Sequence, residues 1–187
     1  VRSEQTGHTC GGRGVSELWT NYMGLRLRNP LVPSASPMSR DLDMAKRLED
    51  AGVSALVMDS LFEEDILHDQ HELHSRTEAG SESFAESLSY FPEHENYEMF
   101  GEDYLERLYQ LKKSLEIPVI ASLNGATTGG WTRFAEMFQE AGADAIELNI
   151  YFLAADPNEP AQVVEERYID ILKAVRESVH IPVSVKL

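Results

Sequence analysis

The chain has 187 residues, 42% of them apolar, enough for one sizeable core and too few for two ordinary domains. Its formal net charge of -16 repels phosphate backbones, and its 16 Lys and Arg residues are scattered, which excludes nucleic acid as an expected partner. No apolar run approaches the roughly 18 residues of a membrane span and no signal region opens the chain, so a soluble, cytoplasmic protein is expected; Cys10, the only cysteine, leaves no internal disulfide or multi-cysteine metal site.

Residues 1–16 are rich in Gly, Ser and Thr and show no period of 2 or 3.6, so they read as a disordered tail or a wrongly assigned start; the folded part is expected over 17–187. From Leu18, apolar and polar residues alternate around Gly24, which predicts a short hairpin, followed by a first barrel strand over Leu31 to Ser34. Asp41 caps a helix to Asp50 that stops at Ala51-Gly52, and a strand over Ala55 to Met58 follows. The same module recurs as a helix over Thr132 to Glu140, Ala141-Gly142, and a strand over Ala145 to Asn149. A second echo pairs Glu116-Ile117-Pro118-Val119-Ile120 with His180-Ile181-Pro182-Val183-Ser184, each with proline at a strand start, where its missing donor costs the ladder little. Helices over Tyr104 to Leu115 and Val163 to Val179 precede them.

Five strands alternating with helices on short links predict a parallel α/β architecture, either a closed barrel or an open doubly wound sheet. Polar residues at alternate strand positions, Glu147 and Asn149 or Ser184 and Lys186, favour the barrel, because central strands of open parallel sheets read as near-continuous apolar runs. No G-x-G-x-x-G turn follows the first strand. The expected fold is therefore a (β/α)8 TIM barrel truncated after about five strands, since a complete one takes about 250 residues. Such a piece would leave a strand edge unpaired.

Active sites of these barrels lie at the C-terminal ends of the strands. Here those ends are Ser34-Ala35-Ser36, Asp59-Ser60, Ser122-Leu123-Asn124-Gly125, Asn149 and Lys186, a polar ring suited to the edge of a neutral heteroaromatic ligand rather than to a metal. Asn29-Pro30-Leu31 leading to Ser-Ala-Ser, then Ala-Ser-Leu-Asn-Gly, Glu-Leu-Asn at 147–149 and Val-Lys-Leu at 185–187, in this order, resemble the dihydroorotate dehydrogenase family. The resemblance implies an FMN-dependent oxidoreductase acting on CH–CH groups, as in the oxidation of dihydroorotate to orotate in pyrimidine biosynthesis. It makes Ser34, Ala35, Ser36, Asp59, Ser60, Asn124, Asn149 and Lys186 the candidate cofactor-binding residues, with Lys186 stabilising the negative charge of reduced flavin. The family places the FMN phosphate on loops after strands 7 and 8.

Each candidate has a plainer structural reading: an interior ion pair with Glu147 for Lys186, a backbone bond at the rim for Asn149, and turn roles for Ser34 and Ser36. The sequence also departs from the family. The position of its Cys or Ser base is Phe152, which cannot take a proton, leaving Tyr151 as the candidate acid or base. Strand 2 ends Met58-Asp59-Ser60 in place of Thr-Lys-Ser, and an aspartate there would lower the flavin potential. The substrate is expected to be a small molecule, and the chain a homo-oligomer or the partner subunit of a redox complex. Two alternatives stay open: a catalytically silent FMN-binding or structural barrel subunit, and a non-flavin Schiff-base aldolase using Lys186.

The segment from Leu61 to Gly101 holds His68, His71, Glu72 and His74, whose spacing matches no metal motif and reads as a solvated helix. Tyr90-Phe91-Pro92 reads as core packing before an aromatic lid. Gly129-Gly130-Trp131 could offer amides to an anion but reads as a plain loop.

Overall fold

The computed structural model describes residues 18–64, 66, 99–151 and 155–187. The predicted tail, the four candidate metal ligands, the Tyr90 to Pro92 segment and Phe152 lie outside them.

The chain opens with a hairpin of β1 (Thr20–Tyr22) and β2 (Leu25–Leu27). Its two-residue turn places Met23 at φ 53° and Gly24 at φ 77°, and positive φ at both positions lets a tight turn match the strand twist. A 3-10 turn (Pro37–Arg40) leads into α1 (Leu42–Asp50), β3 (Leu56–Phe62), α2 (Met99–Ser114), β4 (Val119–Asn124), α3 (Thr128–Glu140), β5 (Ala145–Asn149), α4 (Ala161–Ser178) and β6 (Val183–Lys186). Strands β3 to β6 form one four-stranded parallel sheet in chain order, covered by the helices. This is an arc of a (β/α) barrel.

Two expectations need correction. Leu31 to Ser34 forms no strand, because Pro30 and Pro33 have no N–H to give a ladder. Its carbonyls still serve β3: Ser54 N–H donates to Leu31 O (2.9 Å) and Val57 N–H to Pro33 O (3.4 Å). The helix expected from Thr132 starts at Thr128, so Gly129-Gly130-Trp131 forms its first turn rather than a loop. The Thr127 hydroxyl, accepting from Gly130 N–H at 2.9 Å, supplies the cap that outweighs the poor helix propensity of two glycines.

Strand alternation divides the core in two. On the helix side, Val119, Ala121 and Leu123 of β4 and Ile146 and Leu148 of β5 meet Tyr104, Leu108 and Leu111 of α2 and Trp131, Phe134 and Phe138 of α3. Those spacings of three and four place one apolar stripe on each helix, and each fully buried Leu, Ile or Phe contributes about 1.5–3 kcal/mol. On the interior side, Val57, Ile120 and Ala145 pack on Leu27, Met23, Leu25, Val32 and Ala35, so the hairpin plugs the barrel floor.

The floor is also closed by hydrogen bonds that repeat with the sequence module. The Glu49 carboxylate at the end of α1 accepts from Glu116 N–H (2.8 Å) and Ile117 N–H (3.0 Å) ahead of β4. Gln139, its counterpart in α3, accepts from His180 N–H (2.6 Å) and Ile181 N–H (3.2 Å) ahead of β6. Pro118 and Pro182, just before those strands, each accept from the neighbouring strand at 2.9 Å, so losing a proline donor costs nothing here. Asp144 accepts from Val119 N–H at 2.7 Å and from the Lys112 ammonium at 2.5 Å.

Candidate active site

Above the apolar floor the interior turns polar. Register aligns Ser60, Ser122, Glu147 and Ser184 across the four strands as a middle level. At the upper level Phe62 pairs with Asn124, and Asn149 with Lys186. Bulky branched residues normally fill such layers. Here the Ser60 and Ser122 hydroxyls bond each other at 2.8 Å, while Glu147 Oε1, Ser184 Oγ and Asn149 Oδ1 are buried with no hydrogen-bond partner.

A register shift between Val57 and Ser60 decides what faces the interior from β3. Simple alternation from Val57 would aim Asp59 inward; the bulge turns Ser60 inward and holds Asp59 toward Arg40 and Arg107. The Asp59 carboxylate accepts from Arg40 Nε at 2.7 Å, and Arg107 of α2 lies 3.6 Å away. Asp59 N–H donates to Ser39 Oγ (2.7 Å), whose hydroxyl donates to Ser36 O (2.8 Å), lacing the bulge to the Ser34–Ser36 segment. Asp59 Oδ1 and Arg107 Nε nevertheless remain buried without a hydrogen-bond partner.

Beside the bulge, the Tyr104 hydroxyl donates to Ser122 O (3.3 Å) and accepts from Ser122 N–H (3.0 Å). Full burial pushes its phenol far above the ordinary tyrosine value. Tyr104 also stacks on Phe138 with ring centroids 5.0 Å apart, fixing the hydroxyl under the sheet.

The loop carrying Asn124 is held by Glu63, the residue after β3. Its carboxylate accepts from Ala126 N–H (2.5 Å), Thr127 N–H (2.9 Å) and the Thr127 hydroxyl (2.7 Å), so the anion at the start of α3 is the chain's own. A Cβ at Gly130 would overlap that carboxylate, and one at Gly125 would come within 2.6 Å of the Trp131 ring. Both glycines are demanded by close approach.

Of the candidates read from the sequence, the structure brings Ser60, Asn124, Asn149 and Lys186 to the interior face, and Ala35 to the packed floor beneath them. Ser34 is exposed, and Ser36 precedes the 3-10 turn with no side-chain cap bond. Tyr151 is 67% exposed. Glu147 feels Lys186 through space: burial pushes its carboxyl above the ordinary value and Lys186 pulls it back in part. Glu63 and Tyr104 carried no signal in the sequence, because their partners lie 63 and 18 residues away. Among the described residues, no three His, Cys, Asp or Glu side chains gather as metal ligands, and no helix is long and apolar enough to cross a membrane.

No protein-family model matches the chain. It is 37% identical over 89 residues, 43% of its own length and 26% of the other's, to the Aeropyrum pernix protein named "Putative dihydroorotate dehydrogenase A (fumarate)". Among solved structures it is similar to dihydrodipicolinate synthase DapA-2 from Bacillus anthracis, with a TM-score of 0.50 and 17% identity over 82% of this chain and 44% of that one. A second is the Escherichia coli K12 prophage protein YagE of the dihydrodipicolinic acid synthase family, with a TM-score of 0.49 and 17% identity over 82% of this chain and 43% of that one. The chain thus spans about a quarter of the curated relative and less than half of the solved structures. The likeness to DapA-2 carries the fold: a partial (β/α) barrel.

Proposed function

We propose that this chain forms the flavin-facing part of an FMN-dependent oxidoreductase of the dihydroorotate dehydrogenase type. The observation that carries the reading is the register pairing of Asn149 with Lys186 at the mouth, with the Asn149 amide oxygen buried and unpartnered. That oxygen needs a donor, and a pyrimidine N–H is one; the adjacent ammonium suits the carbonyl edge next to it. The partial sequence likeness to a protein of that name supports the same reading.

The fit extends to the rest of the upper level. Asn149 and Lys186 would hold the ring edge, and Asn124 would line its flank, with Ser60 one level below. Bound FMN would supply hydride chemistry, accepting or giving two electrons as a pair. The protein's own contribution is a cation beside the edge that gains negative charge, next to the buried Asn149 amide. The Glu63 clamp holds the Asn124 loop in place before any ligand arrives.

The test is the visible absorption of the purified protein incubated with FMN, with affinity from equilibrium dialysis. The reading expects a bound flavin and a loss of affinity of at least about tenfold in Asn149→Ala and in Lys186→Ala, the scale of one charge-assisted hydrogen bond. Bleaching by dihydroorotate without oxygen would identify the substrate. Bound flavin that does not bleach would leave an oxidoreductase with another substrate or a silent FMN-binding barrel. A folded protein that takes no FMN would overturn the reading, and borohydride trapping of a carbonyl compound on Lys186 would then favour the Schiff-base alternative.

A further inference from the structure

Beneath the proposed flavin edge lies a level of the interior that the mouth residues do not explain. Glu147 and Ser184 are register neighbours on β5 and β6, and each has a buried side-chain oxygen without a partner. The Ser60 and Ser122 hydroxyls at the same level bond each other, and neither is a hydrogen-bond partner of Glu147 Oε1. The charged group that acts on Glu147 is Lys186, one level up on β6, and the Glu147 charge in turn helps keep the Tyr104 phenol on α2 protonated.

We propose that Glu147 is the proton-exchanging group of this site, a positioning residue coupled through Lys186 to the charge of whatever occupies the mouth. The coupling follows from the placement. With the mouth free, Lys186 is the cation that favours the Glu147 carboxylate. An anionic group docked on Lys186 adds a like charge near Glu147 and offsets that support, so Glu147 takes one proton from solvent and the local charge stays constant. Release of the anion returns the proton. Ser184, whose hydroxyl can accept or donate, is the register neighbour of Glu147 on β6. The inference rests on the flavin reading only for the identity of the anion, reduced FMN.

Infrared difference spectroscopy on the purified protein, following the C=O stretch of a protonated carboxyl from acid to neutral pH, tests it. A band that titrates above the ordinary glutamic acid range and is lost in Glu147→Gln is expected. In Lys186→Met the titration shifts to higher pH, and in FMN-loaded protein the band grows on reduction with dithionite. No such band, or a band that survives in Glu147→Gln, overturns the inference whether or not FMN binds. A band unmoved in Lys186→Met, or unchanged on reduction of bound FMN, overturns the coupling. FMN binding is measured separately by dialysis: a protein that shows the band and its Lys186→Met shift but takes no FMN keeps the proton exchange and loses the flavin.

Discussion

The two ends of the sheet treat their polar atoms differently. At the N-terminal end, where chain enters each strand, Glu49, Gln139 and Asp144 reach across to satisfy backbone N–H groups, and Arg28 and Asn29 bond the carbonyls of Glu49, Val53 and Gly52. Toward the C-terminal end, Glu147 Oε1, Asn149 Oδ1 and Ser184 Oγ are buried and unpartnered. A buried polar atom without a partner costs about 1–3 kcal/mol, so the first end is built for stability while the second spends some of it. That is the division of labour expected between the two faces of a (β/α) barrel.

The exception at the upper end, the Glu63 clamp, provides the largest expected effect. Gly130→Ala drives a methyl group into the Glu63 carboxylate and should cost about 3 kcal/mol, or roughly 6–12 °C in Tm, by urea and thermal unfolding. In a Glu63→Ala background the same substitution should be harmless or slightly stabilising, since alanine is the better helix former. Additive losses would show that Glu63 and Gly130 are not in contact.

Next come the floor contacts. Glu49→Ala and Gln139→Ala each abandon two backbone donors and should each cost about 1–3 kcal/mol in urea unfolding, with FMN affinity unchanged. A loss of FMN affinity without a loss of stability would reverse the assignment of the two ends. At the mouth the pattern inverts: Asn149→Ala removes an unsatisfied oxygen, so stability should change by less than about 1 kcal/mol while FMN affinity falls at least about tenfold.

The smallest effect is a pH dependence. Burial raises the Glu147 carboxyl in the folded state, so the folded protein binds its proton more tightly than the unfolded chain. Its contribution is fully present below the unfolded value of 4.5 and is lost as pH rises through the folded value. Glu147→Gln should therefore raise Tm slightly at neutral pH, with the gain fading as pH falls through the raised folded value and absent below 4.5, as checked by thermal melts at a series of pH values.

Local chemistry written in consecutive residues determined much of this molecule. Asp41 and Gly52 bound α1, the turn at Gly24 makes the hairpin, and the Ala-Gly and Ile-Pro-Val echoes mark β3 to β6, because caps, turns and periodicity act over a few residues. The polar strand ends that make Asn149 and Lys186 candidates were legible for the same reason. Tertiary structure alone decided which of them share a face. The bulge after Val57 exchanges Asp59 for Ser60 on the interior face, and nothing in Met-Asp-Ser announces it, since a bulge is set by pairing with β4. Glu63 finds its donors 63 residues later and Tyr104 meets Ser122 across the sheet, contacts that exist only once the helices have packed. The unpartnered oxygens of the interior belong to the same class: a sequence shows that a residue is polar, but only the assembled sheet shows which of its atoms have been left without a partner.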